Sequence, residues 1–202
     1  MDDPVIPPRV AGLVLAAGAG RRFGAVKQLA PLAGRPLLEH ALAAMASVAG
    51  LTRVAVTLGA HADEILAQVD LHGAVPVRVP DWEEGQAASL RAGVAALAPH
   101  ADAIVVTLGD QPRVDGAVIA RIAAEAQGPA PAARAVYGGV PGHPVLITRP
   151  LFPAVARLQG DHGARELLRQ VGALEVECGA GAVLDVDTPA QLDALRGDDG
   201  DG

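Results

Sequence analysis

With 202 residues, half of them apolar, the chain is long enough for one domain with a sizeable core. Its formal net charge of −7 disfavours nonspecific binding to nucleic acid, and no apolar run reaches the about 18 residues that a membrane-spanning helix needs. The acidic, proline-rich start MDDPVIPPRV is unlike a signal peptide, and the lone Cys178 excludes an internal disulfide framework or a multi-cysteine metal site. A cytoplasmic protein without nucleic-acid or membrane partners is expected. Phe23, Trp82, Tyr137 and Phe152 are the only aromatic residues, so Ala, Val and Leu must do the packing. That favours helices laid closely on a valine-rich sheet.

In chain order, Val10–Ala16 is a short apolar run ending at glycine, the pattern of a buried first strand. A helix fits 36–48, with Pro36 in its first turn. A strand over 53–58, a short helix near Ala62–Gln68 and a strand over 75–79 follow. Then come a helix over 87–97, a fully apolar strand over 103–108, a helix over Asp115–Ala126 and a turn or loop at 128–133. RAVYG and HPVLIT (143–148) read as strands around a Gly/Pro bend. Leu151–Leu158 and Ala164–Val171 read as helices, and LEVEC and AVLDV as short strands. In TPAQLDAL, Thr188 can cap a last helix, with Pro189 in the first turn and Gln191 completing a capping box. Strands alternating with helices indicate an α/β fold with a mainly parallel sheet covered on both faces. The expected organisation is an arm at 1–9, one domain at 10–196 and a disordered acidic tail at 197–202.

Ligands of such sheets bind beyond the carboxyl ends of the strands, which directs attention to LVLAAGAGRRFGAVKQLAPL (13–32). Its glycines, Gly18, Gly20 and Gly24, are spaced one residue too far for a dinucleotide fingerprint. Pro31, Gly34 and Pro36 also prevent a helix from starting near Gly20. A Walker A loop fails as well, because Gln28 follows Lys27. Arg21, Arg22, Lys27 and Arg35 cluster with no acidic residue among them, and Lys27 is the only lysine in the chain. A long loop of this kind can wrap a triphosphate with its backbone N–H groups, glycine permitting close approach, while Arg22 and Lys27 supply positive charge.

LAAGAGRRFGAVK resembles the L-A-A-G-x-x-x-R-x-G-x-x-K signature of nucleotidyltransferases of the molybdenum-cofactor type, the MobA-like family. The same opening occurs in methylerythritol-phosphate cytidylyltransferases and sugar-nucleotide pyrophosphorylases. The resemblance implies a three-layer Rossmann-like nucleotidyltransferase fold with a mainly parallel, mixed sheet. VPDWEEGQAASLRAG (79–93) is similar to the family's segment over base and ribose at Trp82, Gly85, Ser89 and Leu90. It departs at Pro80 and Asp81, where asparagine and proline are usual. Trp82 fits a packing role equally well, and Ser89 an ordinary place near a helix N-terminus.

The apolar strand 103–108 ends in Gly-Asp, which presents one carboxylate, Asp110, at the sheet edge. A hard cation such as Mg²⁺ takes one or two carboxylates and fills its other sites with water and phosphate oxygens. GDQP there resembles molybdenum cofactor cytidylyltransferases in particular. GHPVL and GDHGAR resemble the segments expected to hold the molybdopterin acceptor, through His143, Asp161 and Arg165. DVDTP resembles the closing motif that completes the metal site opposite Asp110, through either Asp185 or Asp187.

The resemblance implies Mg²⁺-dependent transfer of CMP from CTP to the terminal phosphate of molybdopterin, releasing pyrophosphate. Arg22, Lys27 and Asp110 are the expected catalytic residues. Nucleotide contacts are expected from Leu15, Ala16, Ala17, Gly18, Gly20, Arg22, Gly24, Lys27, Gly85 and Ser89. A transient contact with a xanthine-dehydrogenase-type molybdoenzyme or its chaperone is implied as well. Ala17 favours CTP, because relatives using GTP usually carry L-A-G-G. Three alternatives stay open: another phosphate acceptor, GTP as donor, and a non-catalytic role in maturing a molybdoenzyme.

Overall fold

Val10–Leu15 forms β1 at the centre of a seven-stranded sheet in the computed structural model, which describes residues 7–160, 163–179 and 185–198. β1 alternates as a strand buried on both faces must. Ala11, Leu13 and Leu15 join one apolar cluster, and Val14 and Ala16 join another on the opposite face. A long loop follows, holding a 3₁₀ turn at Lys27–Leu29 and a small antiparallel ribbon of β2 (Pro31–Leu32) and β3 (Arg35–Pro36). Helix α1 then runs Leu37–Ala46. Pro36 is its cap and keeps extended backbone, so the helix begins one residue later than the expected 36.

The remaining elements are β4 (Val54–Leu58), α2 (Ala62–Gln68), β5 (Val75–Arg78), α3 (Gln86–Leu97), β6 (Ala103–Leu108) and α4 (Gly116–Ala124). After them come β7 (Ala132–Tyr137), β8 (Val140–Thr148), α5 (Phe152–Val155), α6 (Gly163–Gln170), β9 (Leu174–Glu177) and α7 (Pro189–Asp198). The strand order is β5-β4-β1-β6-β8-β7-β9. β5, β4, β1 and β6 are parallel, β8 is antiparallel to β6 and β7, and β9 is parallel to β7. Side chains of α1, α2 and α4 fill the core on one face, and those of α3, α5 and α6 fill it on the other. The architecture is therefore the three-layer, mostly parallel, mixed α/β fold. Leu13, Leu38, Met45, Ile104 and Leu146 are fully buried, and each such side chain contributes about 1.5–3 kcal/mol of transfer free energy.

Several boundaries differ from the sequence expectation. Ala132 and Ala133, placed in a loop, open β7, where they pair with Ile147 and Leu146 of β8 and are fully buried on the two faces of the sheet. The helix expected over Leu151–Leu158 shrinks to α5, preceded by a 3₁₀ turn at Arg149–Leu151. Pro150 and Pro153 remove backbone donors there. Of the expected strand AVLDV, residues 182–184 lie outside the described residues, and Asp185 and Val186 are not in a strand. Gly197 and Asp198 of the expected tail belong to α7. The capping box at Thr188 does form: Gln191 Oε1 accepts from Thr188 N at 2.8 Å, and Thr188 Oγ1 accepts from Gln191 N at 3.3 Å. Among the described residues no helix is long and apolar enough to cross a membrane.

Candidate active site

The chain leaves β1 towards β4 on one side and returns to β6 on the other, so the strand order reverses beside β1. That reversal opens a crevice at the carboxyl ends of β1 and β6, where α/β sheets bind ligands. Leu15 ends β1 there, followed by Ala16 and Ala17, and Gly109 and Asp110 follow β6. Gly109 N donates to Leu15 O at 2.9 Å, which keeps the two strand ends together. Val186 N donates to Asp110 O at 3.0 Å, and the Val186 side chain is fully buried with Leu37, Leu192 and Leu195. This anchor brings the C-terminal segment back to β6 and sets Asp185 and Asp187 on either side of it.

The glycine loop is folded down onto this edge. The buried Gln28 side chain donates to Ala16 O at 2.9 Å and Gly18 O at 2.7 Å, tying the loop to the end of β1. Gly20 has φ of 61° with its Cα against the Lys27 side chain, a conformation that favours glycine, and Gly24 is also left-handed. Lys27, only 9% exposed, places Nζ 2.6 Å from Asp110 Oδ2 and 3.2 Å from Asp187 Oδ1. Arg22 reaches the other oxygen of Asp187 at 3.1 Å while remaining largely exposed. Arg21 faces Glu83 at 3.7 Å across the mouth of the site.

Burial pushes the Asp110 carboxyl above the ordinary carboxylate range, and the Lys27 charge opposes that shift. Asp110 Oδ1 is buried and accepts no hydrogen bond from the described residues. Asp185 Oδ1 accepts from Gln111 Nε2 at 2.6 Å. Among the described residues no group of three or more His, Cys, Asp or Glu side chains could hold a metal ion by itself. The donor set is instead one or two oxygen ligands, of which Asp110 carries an unused one. That fits a hard divalent cation whose remaining ligands are phosphate oxygens and water.

A cleft of about 640 Å³ opens above this edge. Leu15, Ala17 and Gly18 line it from β1, and Arg21 and Arg22 from the glycine loop. Gly85, Gln86 and Ser89 line it from the start of α3, together with Asp110, Asp185 and Arg165. Ala16, Gly20 and Lys27 border a smaller adjoining space with Asp110. Trp82 does both things its sequence context allows: it lines the cleft and packs with Ala17, Val79 and Ala88. Arg91 of α3 holds that side in place. It donates to Asp81 at 2.8 Å, to Glu84 at 2.7 Å and to the carbonyl of Leu158 at 2.7 Å.

A second cavity, of about 310 Å³, adjoins the cleft and shares Gln86, Leu108, Arg165 and Asp185 with it. His143 borders it from an irregularity in the β7–β8 pairing, where Arg134 pairs with Val145 and Val136 with Pro141. The residues left over on β8 include Gly142 and His143, and a bulge of this kind re-aims side chains. Tyr137 Oη donates to His143 O at 2.8 Å, and burial raises the phenol to about 12, so it stays a donor. Burial pushes the His143 imidazole down to about 4, so the ring is neutral at neutral pH.

Of the residues expected from sequence, all but two described ones border one of these three spaces. Gly24 lines none of them, and Asp187 is held by Arg22 and Lys27 beside the cleft. Asp161 lies outside the described residues. Sequence reasoning missed Gln28, Gln86, Gln111 and Arg134. Gln28 and Gln111 each sit next to an expected residue, but only the folded chain reveals which groups their amides meet.

Residues 12–176 match the MobA-like NTP transferase domain family. Nicotine blue oxidoreductase of Paenarthrobacter nicotinovorans is 38% identical, over 81% of this chain and 83% of its own. The purine catabolism protein PucB of Bacillus subtilis is 34% identical, over 94% of this chain and 97% of its own. Among solved structures, Rv0371c of Mycobacterium tuberculosis superposes with a TM-score of 0.87 at 35% identity, covering 96% of this chain and 100% of that one. A structure of the same protein in complex with manganese superposes at 0.82, with 33% identity and 94% and 98% coverage. The glycine loop, the β6 carboxylate and the family match agree: the chain belongs to the MobA-like NTP transferase family.

Proposed function

We propose that the protein transfers CMP from CTP to the terminal phosphate of molybdopterin, releasing pyrophosphate. The observation that carries this reading is the joining of two spaces at Asp185 and Arg165. The larger is bordered by the glycine loop and the smaller by His143. A donor nucleotide in the first and a phosphate-bearing acceptor in the second would meet beside Asp110.

A phosphate monoester is largely dianionic at neutral pH, since its second pKa is about 6. It can therefore attack the α-phosphorus without a protein nucleophile. The difficulty is bringing two anions together, so catalysis consists of positioning and electrostatics. Asp110, through its unpaired Oδ1, and Asp185 are the residues that would hold Mg²⁺ or Mn²⁺. When bound, that ion neutralises phosphate oxygens and orients the triphosphate. Lys27 and Arg22 already face the same edge and stabilise charge developing on the leaving pyrophosphate. Asp187 keeps Lys27 and Arg22 aligned for that role. The manganese complex of the mycobacterial relative supports a divalent-metal requirement. Ala17, which lines the cleft and packs with Trp82, supports a pyrimidine, because relatives using GTP usually carry glycine at that position.

The test is pyrophosphate release by the purified protein with Mg²⁺ and molybdopterin cofactor. Release is expected with CTP and not with GTP, and Ala17→Gly is expected to narrow that preference. Equal turnover of the two nucleotides by the unaltered protein would overturn the base assignment. The name of one relative, nicotine blue oxidoreductase, raises a second reading, an oxidoreductase acting in the same cleft, against which the spacing of Gly18, Gly20 and Gly24 argues. That reading requires a redox change in an added substrate with no pyrophosphate released.

A further inference from the structure

Gln28 follows Lys27 on the 3₁₀ turn of the glycine loop and is buried, although its side chain is polar. Its Nε2 donates to two carbonyls of the same loop, Ala16 O at 2.9 Å and Gly18 O at 2.7 Å. Both amide hydrogens are used inside the protein, so Gln28 has none to offer a ligand. What it controls is the direction of two peptide planes. In a trans peptide the N–H points opposite to the preceding carbonyl. Drawing Gly18 O towards Gln28 therefore turns the Ala19 N–H the other way. The loop divides two spaces accordingly. Ala16, Gly18 and Gly20 border the smaller one with Gln28, whereas Ala17, Gly18 and Ala19 line the cleft with Arg21 and Arg22. Ala19 is half-buried, and its N–H makes no hydrogen bond among the described residues.

A Gly–Ala peptide has little to hold this direction by itself. Glycine lacks the Cβ that restricts backbone dihedrals. Gly18 is exposed, and a Cβ there would meet no atom within 4 Å beyond its chain neighbours, so packing does not fix the plane either. Without Gln28 the plane is free to turn over and present its carbonyl to the cleft. An outward N–H attracts an anion, and an outward carbonyl repels one.

We propose that Gln28 is a positioning residue for the donor nucleotide. It latches the Gly18–Ala19 peptide with its N–H towards the cleft, where that N–H donates to an oxygen of the triphosphate. The inference rests on the nucleotidyl-transfer reading above and adds the residue that keeps the loop in its phosphate-binding conformation. Because Gln28 adjoins Lys27, one 3₁₀ turn sets both the ammonium and the backbone donor.

The experiment compares the protein with Q28M and Q28E. Methionine fills a similar volume without a donor, and glutamate keeps the shape but sets a carboxylate against the two carbonyls. Binding of Mg²⁺ with a non-hydrolysable CTP analogue, and of CMP, is measured by calorimetry. KM and kcat for CTP are read from pyrophosphate release, and the Ala19 amide is followed by NMR in ¹⁵N-labelled protein. Q28M is expected to weaken analogue binding about tenfold and CMP binding by less than about twofold. Its KM for CTP should rise about tenfold while kcat stays within about twofold, the pattern of a lost binding contact. Q28E is expected to lose at least as much. The Ala19 amide resonance should shift downfield when the analogue binds the unaltered protein and hardly move in Q28M. Undiminished analogue binding in Q28M would overturn the latch and leave nucleotidyl transfer standing. So would an Ala19 amide that stays unmoved while the unaltered protein binds the analogue. Equal losses of analogue and CMP in both variants would overturn it as well, since the whole site and not the phosphate contact would then have collapsed. If the unaltered protein binds neither the CTP analogue nor its GTP counterpart, the nucleotidyl-transfer reading fails, and the latch fails with it.

Discussion

Lys27 is buried and keeps its ammonium between Asp110 and Asp187, beside a space that Gly18 and Gly20 of the glycine loop also border. A lysine so placed is a fixed point charge, already oriented before any phosphate arrives. Lys27→Met is therefore expected to lower kcat by about 10²-fold or more with the fold intact by circular dichroism. Lys27→Arg is expected to recover little, because a planar fork does not fit a slot shaped around one ammonium. His143 gives a pH prediction. Its folded value of about 4 lies below the ordinary 6.5, because burial disfavours the imidazolium. As pH falls below 6.5 the unfolded chain takes up this proton first, so stability should decline until about pH 4 and gain no further His143 term below it. Urea midpoints between these limits should show that slope, and His143→Gln should flatten it.

At the scale of elements, the end of β1 is held by close backbone packing. A Cβ on Gly59 would lie 2.2 Å from Ala17 O and 2.8 Å from the Trp82 side chain. Gly59→Ala must then displace either the end of β1 or the segment carrying Trp82. An overpacking cost of about 1–3 kcal/mol is expected by denaturant unfolding, with weaker CTP binding and an altered Trp82 emission. The same segment explains the departure of Asp81 from the family pattern. A carboxylate replaces the usual proline there, and Arg91 pairs with it and with Glu84. Periodicity located the long elements well because apolar residues recur at helical or strand spacing in each. It failed at the ribbon of β2 and β3, where two-residue strands carry no period, and at α5, which spans only Phe152–Val155 of the expected helix.

For the whole molecule, the cleft is assembled from β1, the segment at 82–89, β6 and the returning C-terminal segment, so a nucleotide bound there would bridge parts distant in sequence. Ligand that binds only the folded state stabilises it by about 2.7 kcal/mol at a hundredfold excess over Kd. For a chain of this length that corresponds to a Tm rise of about 5–10 °C. Mg²⁺ with CTP should produce such a rise in a calorimetric scan, and Mg²⁺ with GTP a smaller one. Equal rises would remove the pyrimidine preference.

The sequence by itself determined the α/β class, the site at the carboxyl ends of the strands, and the family, through Gly18, Gly20, Arg22, Lys27 and Asp110. These features are local: an apolar strand ending in glycine, or in Gly-Asp, announces its role within a few residues. Only the tertiary structure brought Gln28 to the carbonyls of Ala16 and Gly18. It alone set Asp187 on Lys27 and Arg22 while Asp185 faces the cleft. It also brought Arg134 and His143 to the border of one cavity. Each depends on contacts between segments far apart in the chain, and such contacts are fixed by packing around buried anchors such as Val186 rather than by spacing along the backbone.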